Sequence, residues 1–333
     1  HKLKNNMLNI KKRKASSYIG PLIALIIVII IVGSTTDRFF TPGNLRNLML
    51  QVSIVSLVAI GSTLVIIAGG IDLSPGSAIA LLTMILASMI KFLGISAPFA
   101  LILIVIMGAL LGFWNGVLTA HLRIPSFVTT LASMTIFRGF AFLFNNGSPI
   151  FSISDTLTEI FYGKILGIPY VFFYVFFFFI LFSLIMRYTE LGREIYAVGG
   201  NAAAARFSGI NVKKTVVMSF IFAGVMASLG SVLMAARLNS GSPNYGVGME
   251  LSAIAAAVVG GASLGGGKGD IIATFFGASI ITIVHNGLNL HAMPTSVQNI
   301  VIGMIIIFAV FIDMWRRDLG DIFSRLASRR TKS

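Results

Sequence analysis

Apolar residues fill this chain in long unbroken runs separated by short polar joints; Ile23–Val32 and Val171–Leu184 are typical. Neither run alternates polar with apolar residues, as the strands of a membrane β-barrel would. Several runs approach the roughly 20 residues that cross a bilayer as helix. The pattern predicts an all-α polytopic membrane protein with about ten transmembrane helices. They fall near 19–35, 48–68, 76–93, 97–119, 125–144, 169–187, 214–236, 250–262, 270–288 and 296–314. The eighth is short enough to be a half-helix. In the seventh, Ala223, Ala227, Ser231 and Ala235 recur at intervals of four, as Ala253, Ala257 and Gly261 do in the eighth. Small faces let helices approach closely where lipid supplies little drive for association, so both stripes read first as packing faces.

The joints between the runs are unequally charged. With the N-terminus in the cytosol, ten spans place nineteen Lys and Arg residues on the cytosolic side against five outside. That is the bias of the positive-inside rule, and an odd number of spans would spoil it. Both termini are therefore expected in the cytosol, as basic tails at 1–18 and 315–333 flanking a transmembrane domain at 19–314. The first tail carries no Ala-x-Ala site before the apolar run and reads as retained rather than cleaved. Outside, the aromatic stretch 37–47 suits the headgroup level, while 145–168 and 238–248 read as polar outer loops.

Composition narrows the class further. Of 333 residues 56% are hydrophobic and 11% charged, about half the charge of a soluble domain. The net charge of +14 would suit a nucleic-acid binder, but it sits in membrane-flanking segments, so no nucleic acid is expected. With no cysteine, thiol chemistry, Cys-based metal sites and disulfides are excluded. His121, His285 and His291 show no ligand spacing, and neither metal nor cofactor is expected.

One polar island interrupts the pattern. Arg187–Lys214 lies between two strongly apolar spans and holds five cations, two glutamates and an Ala run. Asn201 is placed to N-cap a short helix with its body at Ala202–Phe207, and Gly209 is placed to end it. A capped helix projecting from a membrane protein is a shape that another protein can grip.

Three further stretches carry candidate chemistry. Residues 69–77 read GGIDLSPGS. Either Asp72 or Ser74 caps the third span, with Pro75 in its first turn, or broken helix here borders a pathway, since a charge near membrane depth turns toward a cavity. The two readings are compatible. Arg138, the one cation inside a span, either snorkels outward or pairs with a carboxylate. Residues 260–270 read GGASLGGGKGD and contain a formal G-x-S-x-G around Ser263, but it follows a helix where a hydrolase needs a strand. The phosphate-loop spacing fails as well, with Ala262 and Gly269 at required positions. Asn286, Asn289, Gln298 and Asn299 place polar groups near the outer ends of the last two spans, where they bond between helices or face a polar substrate.

Taken together, GGIDLSPGS, FVTTLASMTIFRGF, NNGSP, GGNAAAARFSGINVKK, ELSAIAAAVVGGASLGGGKG and NGLNL resemble the permeases of bacterial ribose-type ABC importers. That family also serves other monosaccharides and is related to branched-chain amino acid permeases. The resemblance runs in order from about residue 20 to 314, with NNGSP and NGLNL pointing to ribose. Pro75 departs from it, where the family commonly has valine or alanine. The resemblance implies a non-catalytic subunit of the bacterial inner membrane that works as a pair. ABC ATPase subunits sit below it, a periplasmic sugar-binding protein docks above, and membrane lipid surrounds it. It implies that the island at 187–214 is the coupling loop, with Gly200, Asn201, Ala204, Ala205, Arg206, Ser208 and Gly209 contacting the ATPase. Asp72, Ser74, Asn286 and Asn289 are the candidates for the sugar pathway. A secondary transporter would need several intramembrane acids, and few are present.

Overall fold

The computed structural model describes residues 2–330, with side chains over 18–315. Apart from Tyr18 and Trp315, the two basic tails lie outside the residues whose side chains are described. Among the described residues eight helices are long and apolar enough to cross a membrane. They belong to α1 (Lys2–Thr35), α2 (Pro42–Ile67), α4 (Ala97–Ala120), α5 (Ser126–Leu143), α7 (Tyr170–Tyr188), α10 (Val212–Leu238), α12 (Ile271–Leu290) and α13 (Thr295–Arg330). Two apolar helices are shorter, α3 (Pro75–Lys91) and α11 (Met249–Val259). The remaining helices lie in the joints: α6 (Asp155–Tyr162), α8 (Glu190–Gly200) and α9 (Ala202–Phe207). Each expected span has a helix under it, though α2 begins at Pro42 rather than near 48. Proline tolerates the first turn because the amide it lacks would go unbonded there anyway. Helix α2 thus takes in 42–47; ahead of it Phe39 is 2% exposed and packs with Leu48 and Ile283, while Phe40 is turned outward.

Helix α2 is buried over most of its length, whereas α1 and α13 lie at the periphery. Against it packs α10, which also carries α3 and α4. In the four-residue stripe on α10, Ala223 meets Gly61 of α2, and Ala227, Ser231 and Ala235 are all fully or nearly fully buried, Ala227 and Ala235 in the cluster shared with α3 and α4. A different face of α10, at Val217, Phe220, Gly224 and Ser228, meets Gly108, Gly112 and Gly116 of α4. A Cβ on Gly112 would stand 2.1 Å from the Phe220 carbonyl oxygen, and one on Gly224 would stand 2.1 Å from that of Gly108. Only glycine permits backbones this close. Helices α11 and α12 meet likewise, Gly277 lying under the Ala256 carbonyl.

The joints gather at two ends of the bundle. At one end Tyr18 donates to Asp270 (3.0 Å), and the Gly267 amide to the Ile67 carbonyl (2.8 Å). At the other, Lys91 donates to the carbonyls of Phe151 and Ser152, and the strand β1 (Ile150–Phe151) pairs with Ser240–Gly241. Also there, the Asn239 side chain accepts from the amides of Ile153 and Ser154.

Candidate functional site

The polar island folds as two helices, α8 and α9, joined at Asn201. Its extended backbone (φ −161°, ψ 100°) lets its carboxamide oxygen accept from the Ala204 amide at 2.9 Å, the N-cap expected from the sequence. The Ser208 hydroxyl bonds back to the Ala204 carbonyl (3.0 Å), and Gly209 ends the helix at φ +86°, where a Cβ is costly. Of the seven candidate coupling residues, Ala205 is buried at 4% exposure, holding α9 to the bundle; Gly200, Asn201, Ala204, Arg206, Ser208 and Gly209 are exposed. The residue that sequence reasoning passed over is Phe207. It is 92% exposed at the tip of α9. A phenyl ring that far into solvent is expensive unless a partner covers it. The sequence contained the signal, an aromatic beside Arg206 in a six-residue helix, but burial decides its meaning.

The glycine-rich turn at 260–270 packs directly beneath this segment. A Cβ on Gly199 would fall 1.6 Å from the Ile67 carbonyl oxygen and 2.7 Å from the Gly267 nitrogen. Three backbones therefore touch at one point: the end of α2, the end of α8, and the turn. The Tyr196 hydroxyl adds a bond to the Gly269 carbonyl at 2.8 Å. Burial pushes its phenol up to about 12, with Asp270 and Tyr18 adding to the shift. Ser263 donates to Asp313 at 2.9 Å, an arrangement that ties the turn to α13 and lacks a histidine base.

From that contact the chain runs from α2 into the break at 68–74. Asp72 is buried at 5% exposure and accepts from both the amide (2.9 Å) and the hydroxyl (2.6 Å) of Ser74. Neither Asp72 nor Ser74 caps α3 through its side chain; the pair instead closes a local turn ahead of it. Asn115 of α4 donates to the Ser74 hydroxyl (2.9 Å), while Ser126 and Thr130 of α5 bond the amide and carbonyl of Ile71. The break is thus held by two neighbouring helices.

The second break follows α10. Asn239 turns at φ +46°, and the chain does not form the polar outer loop expected at 238–248. It runs back along α3: a Cβ on Gly241 would meet the Thr83 carbonyl, and one on Gly246 would meet that of Gly76. Residues 76 to 87 cover about 16 Å of helix, so this irregular strand descends well into the bundle before α11 begins. Non-helical backbone at that depth needs its polar groups met by protein or a water-filled cavity. Arg138 of α5 meets two of them, its Nη1 donating to the carbonyls of Pro243 (2.7 Å) and Tyr245 (2.8 Å). The carboxylate of Glu250, whose charge Arg138 feels, keeps one buried oxygen without a hydrogen-bond partner. The partner of Arg138 is therefore chiefly backbone, more than 100 residues away in sequence.

The four candidate pathway residues separate into two places. Asp72 and Ser74 lie past the α9-side end of α2. Asn286 lies by its other end, exchanging two hydrogen bonds with Asn44 (3.0 and 2.8 Å). Asn289 is exposed and accepts from Gln298 at 2.7 Å. Interhelical bonding accounts for both asparagines.

The sequence matches the family model for the permease component of branched-chain amino acid transport systems over residues 44–310. The chain belongs to that permease family. Among its relatives, the permease is 40% identical over 296 residues to the ribose import permease protein RbsC of Escherichia coli K12, covering 88% of this chain and 92% of that one. It is 41% identical over 297 residues to the Haemophilus influenzae protein of the same name, covering 87% and 91%. To the D-allose transport system permease protein AlsC of E. coli K12 it is 37% identical over 298 residues, covering 88% and 90%. No solved structure matches. The permease is a multi-pass protein of the bacterial inner membrane.

Proposed function

We propose that this permease forms the pathway of an ATP-driven importer for a monosaccharide, ribose first. Two copies face each other, ABC ATPase subunits bind below, and a periplasmic binding protein delivers the sugar. The 40% identity to ribose import permeases over nearly the whole chain carries the solute. The protruding helix α9, with Phe207 bare at its tip, carries the mode of drive. On this reading ten apolar helices cross the membrane, α3 and α11 completing their crossings through the two breaks, with both termini in the cytosol. ATP binding moves α9; the shared contact at Gly199, Ile67 and Gly267 passes the motion to the break at Asp72 and to the α11–α12 turn. A ligand shifts such an equilibrium only through differential affinity for its two states, and α9 is where the ATPase would exert that difference. Asp72 and Ser74 then border the moving part of the pathway, with Asn286 and Asn289 candidates at its outer mouth.

Reconstitution with its ATPase and binding protein tests this. ATP-dependent uptake of labelled ribose, competed by unlabelled ribose and not by leucine, is the expected result. Uptake by the permease without an ATPase would overturn the mode of drive.

A further inference from the structure

Two cavities meet on the side of the bundle formed by α1 and α7. The first, about 670 Å³, lies at the α8 end and is lined by Arg187, Arg193, Lys268, Asp270, Tyr18 and Tyr196. The second, about 760 Å³, is an apolar groove running between α1, α2, α7 and α12. Ser183, Arg187 and Ile272 line both, so the two adjoin. Helix α7 lines the groove from Phe172 to Arg187, about 22 Å of helix against roughly 15 Å for the hydrocarbon of one leaflet.

The charges at the head of this groove do not cancel. Among the described residues three cations line it, and the carboxylate of Asp270 is already engaged. Asp270 accepts from the Tyr18 hydroxyl (3.0 Å) and from the amides of Ile272 (2.8 Å) and Ala273 (3.3 Å). At the junction, the buried hydroxyl of Ser183 has no hydrogen-bond partner. A free phosphate would leave the groove empty, and an uncharged lipid would leave the cations unmatched. An amphiphile with an anionic head meets both conditions, and basic pockets at the membrane boundary are where such headgroups bind.

We propose that the double cavity holds an anionic glycerophospholipid from the leaflet at the α8 end. Its phosphate sits among Arg187, Arg193 and Lys268, and one acyl chain lies in the groove between α1 and α7. The site requires only that the permease sit in a membrane and does not depend on which solute it carries. Because α8 leads into α9, a bound headgroup braces the root of the protruding helix against α7 and the turn at 268–270.

Native mass spectrometry of the full-length permease in a neutral detergent tests the site, by titrating phosphatidylglycerol or phosphatidylcholine with the same acyl chains. Phosphatidylglycerol is expected to bind about tenfold more tightly. Arg193→Gln and Lys268→Gln should each weaken it about fivefold, the ~1 kcal/mol that one cation contributes beside an anionic surface. Ile180→Trp, which fills the groove, should release the lipid with the headgroup cations intact. Unchanged thermal unfolding of the lipid-free variants would assign these losses to binding. Equal retention of both lipids, indifference to both cation variants, or displacement of the lipid by millimolar inorganic phosphate would overturn the proposal.

Discussion

Arg138 illustrates how far one side chain reaches in this molecule. Its two carbonyl acceptors belong to irregular backbone, and truncation to alanine leaves them buried and unpaired. Arg138→Ala should therefore lower stability by about 1–3 kcal/mol, read as a fall in the unfolding temperature of the purified permease. Neighbouring glycines allow a sharper comparison. Gly199→Ala would drive a methyl into the Ile67 carbonyl and should abolish folded yield, whereas Gly200→Ala meets nothing within 4 Å and should be tolerated. Tyr196 supplies a pH test. Its phenol is raised from 10.0 to about 12, so the protonated hydroxyl contributes fully below pH 10, and that contribution is lost as pH rises through 12. Thermal stability should show no step from this group near neutrality, and Tyr196→Phe should cost about 1 kcal/mol. The N-cap at Asn201 and the stop at Gly209 were legible in the sequence because a cap is satisfied within three or four residues. The carbonyls that Arg138 binds were not, because they lie beyond the reach of any local pattern.

At the scale of elements, α9 and the re-entrant segment behave oppositely. Helix α9 has its caps in its own sequence and exposes almost everything else. Phe207→Ala should leave the fold intact but sharply reduce ATP-dependent uptake, since an aromatic anchor at an interface contributes on the order of 2 kcal/mol. ATPase activity uncoupled from uptake in that variant is the measurement; full uptake would remove α9 from the drive. Residues 239–248 look like a surface loop by every local criterion, being rich in Ser, Gly, Pro and Asn. Their descent along α3 depends on two glycines, Gly241 and Gly246, lying against backbone that only folding brings near. The shortness of the eighth apolar run was the one hint. On α4, Gly108, Gly112 and Gly116 recur at intervals of four in the sequence, but the face of α10 that they meet, from Val217 to Ser228, is set only by packing.

Over the whole molecule, polar joints gather at two ends of the bundle, and the count of cations predicts which end faces the cytosol. A protease site inserted at Ala203 should be cut from the cytosol and not from the periplasm; the reverse would invert the topology and detach α9 from any ATPase. Ser263→Ala should leave uptake near normal, because the hydroxyl serves as a tie between the turn and Asp313. The chain by itself determined the class, the order of the helices and the capped helix in mid-chain. Hydropathy and capping are set by residues close in sequence, and the bilayer forces apolar runs to close their own hydrogen bonds as helix. Only the tertiary structure decided that the two breaks are anchored by α4 and α5, that the glycine-rich turn lies against the root of α9, and that cations from three segments converge at the mouth of one apolar groove. Each of these joins backbones or charges far apart in sequence, and such distances close only when the helices pack.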